Sequence, residues 1–96
     1  MGQLKKLIDV VAALGSLDPN ATIYAAKPWS QGSLAVVEFE PPSHELPREA
    51  AQAGAEYFLE VFVARDFLSD WEATLDKMPS LEERCDRLIR YAVDDA

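Results

Sequence analysis

Leu4, Leu7, Ile8, Val11 and Leu14 recur at the i, i+3, i+4, i+7 spacing of one apolar helical stripe. A first helix is therefore expected, with Gly15 as its C-terminal cap. Leu17-Asp18-Pro19-Asn20 reads as a turn, because Pro presets φ while Asp and Asn bond back to local backbone. Two β-rich runs follow at 22–26 and 34–40, separated by a Pro-, Ser- and Gly-bearing loop that carries Trp29. Residues 41–47 hold three of the six prolines, which excludes a central strand there. Residues 49–53 suit one helical turn before Gly54.

The run 55–63 is rich in β-branched and aromatic residues and predicts a third strand, the longest, placed centrally or fully paired. Asp66 is a candidate cap for a second helix buried through Phe67, Leu68, Trp71 and Leu75 and ended by Pro79 near Lys77 or Met78. Ser80 and Glu83 form a capping-box pattern for a last helix. Its apolar face is Leu81, Cys85, Leu88, Ile89 and Ala92, and Glu83 with Arg87 and Asp86 with Arg90 stand at i, i+4 on its solvated side. The expected fold is α+β in the order α-β-β-β-α-α: a three-stranded, mostly antiparallel sheet with helices on one face. At 96 residues, the chain is expected to be one small domain, 1–96.

Alternation sorts each strand into two faces. Ile23, Ala25, Ala35, Val37, Phe39, Tyr57, Leu59, Val61 and Val63 make one uniformly apolar face, expected to form the core. The other collects Tyr24, Val36, Glu38, Glu40, Glu56, Phe58, Glu60 and Phe62, four carboxylates mixed with aromatic groups. Two readings compete for it. It is the water-facing side of an antiparallel sheet, or it is a contact patch for a basic partner, since interfaces favour aromatic residues and complementary charge. Trp29 joins that patch if held outward and leaves it if tucked against the core.

Charge bears on the partner. Seventeen acidic against nine basic residues give a net charge of −8, and the cations are scattered, which argues against direct nucleic-acid binding. The same charge favours a basic protein partner. No apolar run is long enough to span a bilayer and no signal-peptide pattern opens the chain, so a cytoplasmic location without membrane association is expected. Gly2 after Met1 raises N-myristoylation, but Lys6 stands where that motif wants Ser or Thr.

Catalytic chemistry is poorly supplied. His44 is the single histidine and lies in the proline-rich loop; Cys85 is the single cysteine and lies on an apolar helix face, where a thiol packs as a small hydrophobe. There is no phosphate-binding glycine motif, no Cys/His cluster and no calcium-loop pattern, so neither cofactor nor metal is expected and the chain does not read as an enzyme.

The runs Thr22-Ile23-Tyr24-Ala25-Ala26-Lys27-Pro28-Trp29, Tyr57 through Leu68 and Leu81 through Ala92 together resemble a family of small, uncharacterised bacterial proteins of unknown function. That resemblance implies a bacterial source and a stand-alone domain but no catalytic residues. In size, acidity and fold class the chain is also similar to the immunity proteins that neutralise bacterial toxins. The functional expectation is a cytosolic protein-binding module of that type. One alternative is a small-molecule binder or small enzyme using Glu38, Glu40, Glu56 and Glu60 around Tyr24 and Phe58; another is a mimic of DNA charge.

Overall fold

The structure, a computed structural model, describes residues 3–43 and 45–95, so the readings of Gly2 and His44 lie outside the described residues. Its elements are β1 (Lys5–Lys6), α1 (Leu7–Ala12), a 3₁₀ turn (Leu14–Ser16), β2 (Thr22–Ala26), β3 (Leu34–Glu38), α2 (Arg48–Gln52), β4 (Ala55–Glu60), α3 (Val61–Glu72) and α4 (Leu81–Asp95). The α+β class and the antiparallel sheet are as expected. The sheet has four strands, not three, in the order β1-β3-β2-β4.

The fourth strand comes from the start of the predicted first helix. Lys5 and Lys6 pair with Ala35 and Leu34, and the helix begins only at Leu7. Its stripe is otherwise as read, with Leu7, Val11 and Leu14 buried, whereas Leu4 is exposed. Gly15 lies inside the 3₁₀ turn and does not cap the helix.

The larger departure follows β4. The expected strand 55–63 stops at Glu60, and Val61 opens a helix that runs to Glu72, short of the predicted end; Asp66 lies inside it and caps nothing. Val61, Ala64 and Leu68 form its buried stripe. β-branched and aromatic residues favour strands only where pairing and packing support them, and here packing against the core overrides that preference. Neither α1 nor α3 has a side-chain N-cap. Their first N–H groups instead donate to nearby carbonyls: Leu7 to Ser33 at 2.8 Å and Ile8 to Gln31 at 3.0 Å, Val61 to Ala21 at 2.9 Å and Phe62 to Pro19 at 3.2 Å. Each helix continues a strand whose ladder satisfies its orphan donors.

β4 is neither central nor fully paired, for it lies at the edge and pairs only with β2. The main core lies between the sheet and α1, α3 and α4, with Leu7, Ile23, Phe58, Leu68 and Leu88 fully enclosed. A smaller cluster of Tyr24, Val36, Ala50 and Ala55 lies on the opposite face, roofed by α2. The helices therefore cover both faces of the sheet, against the expectation of one. Gly54 ends α2 and its tail at φ +69°, a left-handed conformation that explains glycine there.

In α4 the capping box forms as expected: the Ser80 N–H donates to Glu83 Oε1 at 2.8 Å and the Glu83 N–H to Ser80 Oγ at 3.1 Å. The i, i+4 pairs expected on its solvated face do not. Arg87 lies over the Phe67 ring at 4.8 Å, Asp86 accepts from Gln31 Nε2 at 3.0 Å, and Arg90 stands 3.9 Å from Asp94.

Candidate functional site

The mixed sheet face has a different membership from the one alternation gives, because β4 carries a β-bulge. Ile23 faces Leu59 while the next residue, Tyr24, faces Tyr57, so Phe58 is the extra residue. The bulge exchanges two neighbours. Tyr57 moves to the mixed face beside Tyr24, and Phe58 turns into the main core with no exposed surface. Upstream of it the parity is reversed, so Glu56, opposite Ala25, falls on the core-facing side at the rim.

Four of the eight candidate residues thus share the mixed face, namely Tyr24, Glu38, Glu40 and Glu60, and four do not. Phe58 is core. Trp29 is tucked against it: its ring meets Phe58 edge-on with centroids 4.9 Å apart, and its Nε1 donates to Ala25 O at 3.0 Å. Glu56 is displaced by the bulge, and Phe62 is an exposed residue of the first turn of α3. Tyr57 is the member that alternation missed. The signal for it was present, since three consecutive large residues, Tyr57-Phe58-Leu59, do not fit a strict two-residue period.

Glu38 and Glu60 stand on either side of Thr22, each its direct cross-strand partner. Two strand spacings separate their backbones by roughly 10 Å. Between them Thr22 and Tyr24 are buried, each only 3% exposed, whereas Tyr57 keeps 45% of its surface in water. The Tyr57 hydroxyl donates to Glu60 Oε1 at 3.3 Å. Burial, then the negative charges of Glu40 and Glu38, push the Tyr24 phenol above its ordinary value, with a hydrogen bond to the Thr22 side chain working the other way. Burial, then the charge and hydrogen bond of Glu60, and least the charge of Glu40, push Tyr57 upward as well. Glu40 therefore acts on both phenols, Glu38 on Tyr24 and Glu60 on Tyr57. The result is a negative, hydroxyl-bearing surface at the end of the sheet that α2 leaves open.

Among the described residues no group of three or more His, Cys, Asp or Glu could hold a metal ion. The two cavities described for the fold use none of the residues of this surface: one lies between α1 and the β1–β3 edge, the other beside Arg65 and Glu72. Cys85 is buried and unpaired, its thiol pushed up to about 11 by burial and, less, by Asp86, so the nucleophilic thiolate is suppressed.

Sequence reasoning also missed Arg65. Its guanidinium spans three carbonyls: Nε donates to Leu14 O at 3.0 Å, and Nη2 to Gly15 O at 2.7 Å and Leu17 O at 2.8 Å. It closes the C-terminal end of the 3₁₀ turn onto α3. No helix of the described residues is long and apolar enough to cross a membrane. The chain matches no protein family, no curated protein and no solved structure.

Proposed function

We propose that this chain is a protein-binding module that receives a basic partner on the acidic, tyrosine-bearing end of its sheet, in the manner of an immunity-type inhibitor of a basic bacterial toxin. The observation that supports the reading is that Glu38 and Glu40 act on Tyr24 while Glu40 and Glu60 act on the half-exposed Tyr57. Aromatic surface with complementary charge is what protein interfaces select, and a net charge of −8 would steer a basic partner toward it. The small-molecule alternative on the same face is disfavoured, since Glu56 and Phe58 have left it and neither described cavity opens there.

The test is affinity capture from the native host with the wild-type chain and with a Glu38→Lys/Glu60→Lys double variant as bait. A basic protein held by the first and released by the second, with the difference shrinking at high salt, is the expected result. Capture of the same proteins by both baits would overturn the reading. So would unchanged sensitivity of a deletion strain to every toxin encoded beside the gene.

A further inference from the structure

A cavity of about 370 Å³ opens between α1 and the β1–β3 edge, on the opposite face from the tyrosines. We propose that it binds a small amphipathic carboxylate, the apolar part against Ala13, Leu17 and Val37 and the carboxylate on the Lys5 ammonium. The volume falls within the range of small-molecule sites, which combine apolar walls with a few polar groups that fix orientation. Ala13 on this wall is partly exposed, whereas Ala21 is fully buried.

The choice of an anion rests on Lys5. Pairing with Ala35 puts Lys5 on the core-facing side of the sheet, and no ion pair or hydrogen bond engages its side chain among the described residues. Asp18 and Ser16 of the lining hold local bonds, and Asp18 keeps its negative charge. Asp18 Oδ1 accepts the Asn20 N–H at 2.9 Å, which holds that carboxylate in its own turn, and the Ser16 hydroxyl donates to Ala13 O at 2.8 Å. Gln3 also lines the cavity. An ammonium without a partner among the described residues, on the wall of an apolar cavity, fits an anion with an apolar tail, held against the net charge of −8. The inference stands apart from the protein-binding reading and uses none of its residues.

The probe is sodium octanoate, titrated into isotope-labelled protein and followed by two-dimensional amide NMR, with octylammonium as the charge-reversed control. A ligand of about ten non-hydrogen atoms at ordinary efficiency reaches a Kd of about 1 mM. Saturating shifts confined to Lys5, Val10, Ala13, Leu17, Ala21 and Val37 are expected, with octylammonium clearly weaker. Lys5→Gln should weaken octanoate about fivefold, and filling the cavity with Ala13→Leu, or Ala13→Val if leucine does not fit, should abolish the shifts in a chain that still shows native amide dispersion. The proposal is overturned by an absence of saturating shifts, by equal binding of octylammonium, or by octanoate shifts that survive the filled cavity.

Discussion

The Trp29 ring stands edge-on to Phe58 at 4.9 Å, and this pair shows which way the bulged strand turns. Phe58 would face the glutamates in an unbroken strand; with the bulge it fills the main core and gives Trp29 something to pack against. Phe58→Ala should therefore cost about 3–5 kcal/mol, the usual penalty for emptying a buried aromatic site. Chemical denaturation followed by Trp fluorescence and by circular dichroism checks it. A cost below 1 kcal/mol, the range of an exposed residue, would place Phe58 on the surface and refute the bulge.

Arg65 makes three hydrogen bonds to carbonyls at the end of the 3₁₀ turn, of which Leu14 O also accepts the Leu17 N–H. Arg65→Ala should destabilise by about 1.5–3 kcal/mol, as expected for lost charged hydrogen bonds. Arg65→Lys should recover only part of this, because a lysine keeps the charge but not the fork that spans three acceptors. Full recovery in urea titrations would show that charge, not geometry, holds the turn.

Tyr24, Tyr57 and Cys85 all have raised values, and all are uncharged in their stable form. Each therefore contributes stability that is present below its unfolded-state value and is lost as pH rises through the folded one. The window for Cys85 runs from about 8.5, the unperturbed value, upward, to about 11 in the fold. Stability should be flat near neutrality and fall through the alkaline range, and phenolate absorbance should show ionisation of Tyr24 and Tyr57 displaced above the free-tyrosine midpoint. Cys85 should react with thiol reagents only as fast as the chain opens. Labelling at neutral pH that outpaces unfolding would contradict its burial.

The capping box of α4 gives the mildest test. Ser80→Ala removes the acceptor of the Glu83 N–H and should cost about 1 kcal/mol, since both reciprocal bonds are present. Thermal unfolding of Ser80→Ala and Ser80→Asp checks it, with aspartate expected to retain most of the stability.

The sequence by itself determined the features that rest on local chemistry. The box at Ser80 and Glu83, the face of Cys85, Leu88 and Ala92, the short helix before Gly54 and the strand 22–26 all follow from neighbours within one or two turns of the chain. Glu38, Glu40 and Tyr24 were placed on one face by simple alternation, and the tucked position of Trp29 was one of two open readings. Only the tertiary structure decided where strands give way to helices. Lys6 to Leu7 and Glu60 to Val61 are such points because carbonyls distant in sequence, on Ser33, Gln31, Ala21 and Pro19, accept the first helical N–H groups, and no local cap announces them. The bulge at Phe58 belongs to the same class. Placing one more residue on β4 than on β2 is a property of the pair of strands, and it alone puts Tyr57 rather than Phe58 beside Tyr24 and Glu60.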